Sequence, residues 1–218
     1  LEDNIRADIR RLQGWHSDTR KRLDPIVAAF PYMSDAGAGE ARTHVRRLTS
    51  EDVQEIQGEI TSKIGVDLPK RQPAYIARKI NMLEEQACGR LAADTRTMLY
   101  RILLLKSLRR KSVNVMEIGT LFGIGAAALY RFAGSELPSF HMTLLDPLEG
   151  YYDQGADPWT GVPVDQPTLE RNLKRLGVPD DAWRLIKEFS TEPVAAKQAQ
   201  DRQYDFLIID GDHSLTGV

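Results

Sequence analysis

From Val113 onward, short apolar runs of strand type alternate with helical runs. VNVMEIG leads into GAAALYRFA, HMTLLD into PTLERNLKRLG, WRLIKEF into EPVAAKQAQ, and YDFLIID closes the series. A β-α-β-α-β-α-β order leaves few folds open. It predicts a parallel sheet with helices on its faces, joined by right-handed crossovers. The expected fold class is therefore α/β, a Rossmann-like parallel sheet. Open parallel sheets bind ligands beyond the carboxyl ends of their strands. Four places follow as the candidate site: Glu117 to Gly125, Asp146 with its following loop, Glu188 to Thr191, and Asp210 to Ser214.

The first ~110 residues have a different texture, read as helical by apolar spacing. Ile5, Ile9, Leu12 and Trp15 recur at helical intervals, and a polar break follows from Ser34 to Ala41. Thr49 or Ser50 suits the N-cap of a helix with Val53, Ile56 and Ile60 on one face. Pro69 and Pro73 interrupt. A further helix is expected from near Ala74, with Ile76, Ile80 and Leu83 as its stripe. Another is expected over Thr95 to Arg109, with Leu99, Ile102, Leu103 and Leu105. The expected division is a helical N-terminal region over 1–94, acting as an interaction or lid element, and a sheet domain over 95–218. The apolar stripes of the helical region need a partner, either the sheet domain or a second copy of the chain.

Composition narrows the classes. Hydrophobic residues make up 42% of 218, enough for a sizeable core. A formal net charge of -2 argues against a general binder of nucleic acid or anionic membrane. The basic stretch KSLRRKS, Lys106 to Ser112, fits a helix end, where the dipole favours cations. The single cysteine, Cys88, excludes an internal disulfide and a four-cysteine zinc site, and fits a reducing cytoplasm. No apolar run approaches the roughly 20 residues that cross a bilayer. The charged opening LEDNIRADIRR is not a signal peptide. A first residue other than Met suggests a piece of a longer product.

Each strand end has a chemical and a structural reading. Gly119, Gly123 and Gly125 form G-x-x-x-G-x-G. Gly119 allows a tight turn at positive φ, and Gly123 and Gly125 leave room for a ligand against backbone N–H groups at a helix start; equally, they let helix and strand pack closely. Asp146 closes an apolar strand, where a carboxylate can accept both hydroxyls of a ribose, or serve as a turn aspartate before Pro147. Phe189 can stack on an adenine whose edge Ser190 bonds, or belong to the core. Asp210, Asp212 and His213 suit a hard cation such as Mg²⁺ on the carboxylates and a proton-accepting imidazole, or a capped turn. The loop from Glu149 to Gln166, with Tyr151, Tyr152, Asp153, Asp157 and Trp159, is long enough for a lid against a sugar-like acceptor, or is a packed surface loop.

The glycine order is not the dinucleotide G-x-G-x-x-G, and Glu117 beside the turn would repel a pyrophosphate. An acid there suits a ligand with an amino group, and S-adenosylmethionine is one. EIGTLFGIG, LLDPLEGYYD, DPWTGVPVDQPTLERNLKRLGVP and YDFLIIDGDHSLTGV, in that order, resemble class I S-adenosylmethionine-dependent methyltransferases. Within them the resemblance is to methyltransferase domain family 24, related to macrocin-type sugar O-methyltransferases and to proteins labelled cephalosporin hydroxylases. It covers about Val113 to Val218.

The resemblance implies that Glu117, Gly119, Thr120 and Gly123 hold the methionine part of the cofactor and that Asp146 holds the ribose. It implies a metal ligand at Asp210 and a general base at His213. The family often has an acid followed by Ser near the third strand end, where this chain has Phe189-Ser190. It also implies a seven-stranded sheet ordered 3-2-1-4-5-7-6, of which four strands are legible here. The 218-residue chain is then expected to retain much of the cradle and, alone, to methylate nothing. The expected activity is methyl transfer from S-adenosylmethionine to a small-molecule hydroxyl, of a sugar or glycosylated natural product. In that scheme His213 takes the proton and a cation on Asp210 and Asp212 lowers the hydroxyl's pKa. Two rivals remain: a nicotinamide-dependent oxidoreductase, and a non-catalytic assembly module worked by the helical half.

Overall fold

Thr49 and Asp52 are spaced to bond each other's backbone, and they do. The Thr49 hydroxyl accepts from the Asp52 N–H at 3.1 Å, and the Asp52 carboxylate accepts from the Thr49 N–H at 2.8 Å. This capping box opens helix α1, Ser50–Ile64, which ends on Gly65 in the left-handed conformation. The computed structural model describes residues 48–65, 72–149 and 155–211. The stripe of Ile5, Ile9, Leu12 and Trp15 and the polar break over 34–41 lie outside them, as do Tyr151, Tyr152, Asp153, Asp212 and His213.

Helix α2 spans Gln72–Gln86 and α3 spans Thr95–Ser107. Pro73 does not interrupt α2 but sits in its first turn, where a missing N–H costs nothing. Asp94 caps α3 through the Thr97 N–H at 2.7 Å. The sheet then follows as β1 Ser112–Ile118, α4 Ile124–Phe132, β2 Ser139–Leu145, α5 Gln166–Arg175, β3 Trp183–Ile186, α6 Pro193–Ala199 and β4 Phe206–Ile209. All pairings are parallel and the order is β3-β2-β1-β4. The fold is α/β with a Rossmann-like sheet. The third and fourth strands are shorter than WRLIKEF and YDFLIID, because pairing ends at Ile186 and begins at Phe206.

Strand pleating sorts the side chains into two faces. Val113, Val115, Met142, Leu144 and Ile208 join one core with α1 to α5. Met116, Leu145 and Ile186 join a smaller one with Ala195 of α6. The larger core runs from Val53 to Ile208 and ties α1 and α2 to the sheet. On the α6 side of β4, Leu207 and Ile209 are more than half exposed. No helix among the described residues is long and apolar enough to cross a membrane.

Candidate ligand site at the strand ends

The chain leaves β1 toward β2 on one side and returns to β4 on the other, so the order reverses between β1 and β4. A crevice forms at such a point. Three backbone bonds hold the strand ends level there: Gly119 N–H to Leu145 C=O at 2.9 Å, Asp146 N–H to Ile186 C=O at 3.2 Å, and Asp210 N–H to Ile118 C=O at 2.8 Å. Gly119, Asp146 and Asp210 thus stand in a row along the sheet edge.

Gly119 has φ +81, and a Cβ there would lie 2.4 Å from the Asp210 carbonyl oxygen. Only glycine lets the β1 turn pass β4 so closely. Gly123 works differently. A Cβ there would meet the Leu169 side chain at 2.5 Å, and its N–H donates to the Thr120 carbonyl at 2.9 Å. The space a Cβ would take is filled by Leu169 of α5, and the N–H closes the turn. A Cβ on Gly125 would face the Glu117 carboxylate at 3.4 Å.

Asp146 is the organiser of the turn. One carboxylate oxygen accepts from the Thr120 N–H at 2.8 Å and the Leu121 N–H at 3.0 Å, and the other from the Leu148 N–H at 2.9 Å. Leu121 and Leu148 both adopt positive φ, +52 and +49, which these bonds hold in place. A carboxylate offers about four acceptor directions, and three are occupied. One acceptor direction is left for a further donor while all three backbone N–H groups stay bound. Those same N–H groups are withdrawn from any phosphate.

Glu117 lies on the pleat face of Val113 and Val115, beneath α3 and α4, and is 4% exposed. Its carboxylate accepts from the Thr120 hydroxyl at 3.1 Å. Burial pushes its pKa up to about 7, against the opposing pull of Arg101 and the Thr120 bond and with added push from Asp210 and Asp146. Around it close Arg90, Leu91, Ala92, Ala93, Met98, Arg101, Thr120 and Asp210, leaving a cavity of about 10 Å³. A larger concavity of about 690 Å³ lies between α1 and α2, near Val53, Ala77 and Met82, away from the strand ends.

Asp210 is paired with Arg101, Nη2 to carboxylate at 2.9 Å. Among the described residues no group of His, Cys, Asp and Glu could hold a metal ion. A carboxylate already holding a guanidinium does not suit Mg²⁺.

A scan of protein-family models and a search of curated proteins match nothing. Solved structures do match. One is an O-methyltransferase from Bacillus cereus in complex with SAH, 14% identical over 75% of this chain and 64% of that one, with a TM-score of 0.39. Another is the cofactor-bound Rv0187 from MTB, 20% identical over 75% of this chain and 62% of that one, with a TM-score of 0.36. The chain spans less than two thirds of the length of either solved structure.

Beyond β3, Phe189 is 54% exposed, which removes the reading that it is core. Ser190 is exposed beside it. The described part of the long loop is packed rather than open. Val162 and Val164 are buried in the main core, and Asp157 is fully buried. Its carboxylate accepts from Arg90 Nη2 at 2.9 Å and Nε at 3.1 Å, and from the Thr160 N–H and hydroxyl. Trp159 stays 44% exposed, with the Arg90 guanidinium 4.3 Å from its ring centre.

Sequence reasoning missed Arg90, Arg101 and Asn172. Asn172, fully buried, accepts from the Cys88 N–H at 2.8 Å and donates to the Cys88 and Phe122 carbonyls at 2.8 and 2.9 Å. It sits in the apolar stripe of α5 beside Leu169 and Leu173, and a polar residue at such a position is the signal that could have found it. Arg101, the one charge between Met98 and Leu105 in TMLYRILLLK, carries the same kind of signal.

Proposed function

We propose that this chain binds S-adenosylmethionine and serves methyl transfer to a hydroxyl of a small molecule such as a sugar or glycosylated natural product. The observation that carries the reading is the use of the glycine turn. Its Thr120 and Leu121 N–H groups are taken by Asp146, and a buried acid, Glu117, stands behind them. That arrangement disfavours a pyrophosphate and favours a ligand with an ammonium group, which is what separates an aminoacyl sulfonium nucleoside from a dinucleotide.

In this scheme Glu117 accepts the ammonium, Asp146 accepts one ribose hydroxyl, and Phe189 with Ser190 meets the adenine. The bound cofactor supplies a methyl group on a good leaving group, so the protein's tasks are alignment and removal of one proton. His213, three residues beyond Asp210, is the proposed acceptor of that proton; its removal in His213→Ala should lower turnover about 10²–10⁴-fold while cofactor affinity stays.

Calorimetry with S-adenosylhomocysteine and with NAD, on the full chain, tests the reading. Binding of the first and not the second is expected. NAD binding without binding of the adenosyl amino acid would transfer the fold to the oxidoreductase alternative. Binding of neither by a folded chain would favour the assembly module.

A further inference from the structure

Helix α2 turns Ile76, Ile80 and Leu83 into the core. Ala74, Arg78, Asn81, Met82 and Glu85 recur at i, i+4, i+7, i+8 and i+11, which gathers them on the opposite side. Of these only Asn81 is half-buried and the rest are exposed, including the large apolar side chain of Met82. The same five line the concavity of about 690 Å³, whose other wall is Leu48 and the start of α1.

The two charges on this face have no opposite charge within reach on their own helix. Three and four residues away, Arg78 has Ala74, Tyr75, Asn81 and Met82, and Glu85 has Asn81, Met82, Cys88 and Gly89. From Arg78 to Glu85 is about 10 Å along the axis, too far for them to pair with each other. Neither is in an ion pair among the described residues. Such a face is complementary to itself. Two copies of α2 laid antiparallel, with a two-fold axis midway between Asn81 and Met82, set Arg78 of each against Glu85 of the other. A parallel pair would set like charges together instead. In the antiparallel pair each Met82 also enters the space left beside Ala74 and Ala77 of the other copy, and a flexible thioether fills such a gap well.

We infer that this face of α2 is a self-association surface, on which a second copy of the chain seats as an antiparallel two-fold pair. The inference is independent of the cofactor reading. A helix of 15 residues is about 22 Å long. A contact of that length is small beside the ~1,600 Å² of a standard interface, so the dimer is a reversible one. Its two charge pairs lie at the rim, where salt screens them.

Sedimentation velocity of the full chain at rising concentration reads the dimer. The wild type should dimerise reversibly, and less at high salt. Arg78→Glu brings carboxylates together at both ends of the contact, and Glu85→Arg brings guanidinium groups together. Each alone should weaken dimerisation about 10-fold or more. The double exchange, Arg78→Glu with Glu85→Arg, restores opposite pairs and should return the dissociation constant to within about 3-fold of wild type. Thermal melts confirm folding; if a charge variant does not fold, Met82→Ser, which removes the apolar knob, should weaken the dimer in its place. A wild type that stays monomeric would mean that residues 1–47 or a different protein cover the concavity. A dimer indifferent to the single exchanges would form on another surface. Weakening by both single exchanges without recovery in the double would show that Arg78 and Glu85 do not face each other. Each of these three results overturns the inference.

Discussion

Replacing Gly119 with alanine tests the geometry that brings β1 and β4 together. At φ +81 an L-residue is strained by about 1–2 kcal/mol. The added Cβ would also lie 2.4 Å from the Asp210 carbonyl oxygen, 2.5 Å from Gly211 Cα and 2.6 Å from the Asp210 carbonyl carbon. All three are backbone atoms, so no rotamer change relieves the overlap and the strands must part. Overpacking of that kind costs a further ~1–3 kcal/mol. The sum, about 2–5 kcal/mol, is a large share of a typical domain's ~5–15 kcal/mol. Gly65 supplies the control. It has φ +71 but nothing among the described residues within 4 Å of its Cβ position, so Gly65→Ala should show the backbone strain alone. Urea unfolding followed by tryptophan fluorescence gives both values from the midpoints. The Gly119 variant should be the less stable by about 1–3 kcal/mol and should lose cofactor affinity. Equal destabilisation of the two, within about 0.5 kcal/mol, would mean that the close approach of β1 and β4 does not constrain the turn.

Glu117 makes stability depend on pH. Its folded pKa of about 7 exceeds the ordinary 4.5, so its contribution is full below pH 4.5 and is lost as pH rises through 7. Glu117→Gln should remove about 2–4 kcal/mol of that fall, measured as a flatter plot of unfolding free energy against pH. The same titration predicts that wild-type affinity for an ammonium-bearing ligand rises as pH climbs through 7, and calorimetry between pH 6 and 8 reads this directly. Asp146→Asn keeps the volume but turns a donor toward one of three backbone N–H groups, so it should cost about 1–3 kcal/mol and weaken ligand binding. Asn172→Leu leaves the Cys88 N–H and the Cys88 and Phe122 carbonyls without their partner, and should lower the urea midpoint by the equivalent of about 2–4 kcal/mol.

What the sequence determined by itself is what short-range rules govern. The alternation from Val113 specifies a parallel α/β sheet because Val113, Val115 and Glu117 fall on one pleat face whatever surrounds them. Thr49 and Asp52 write their capping box within four residues, and Gly119 marks the turn where positive φ is needed. The strand ends that line the site, Glu117, Asp146 and Asp210, follow from the same topology. The tertiary structure decided what those residues spend their polar atoms on. Asp146 binds the turn's own N–H groups, Gly123 makes room for Leu169, and Phe189 stands exposed rather than joining the core. Arg101 meets Asp210 across 109 residues, Cys88 meets Asn172 across 84, and Arg90 meets Asp157 across 67. Such partners share no local pattern. They are chosen by which helix packs over which strand, and a buried charge then pairs with whatever opposite charge that packing has brought within reach.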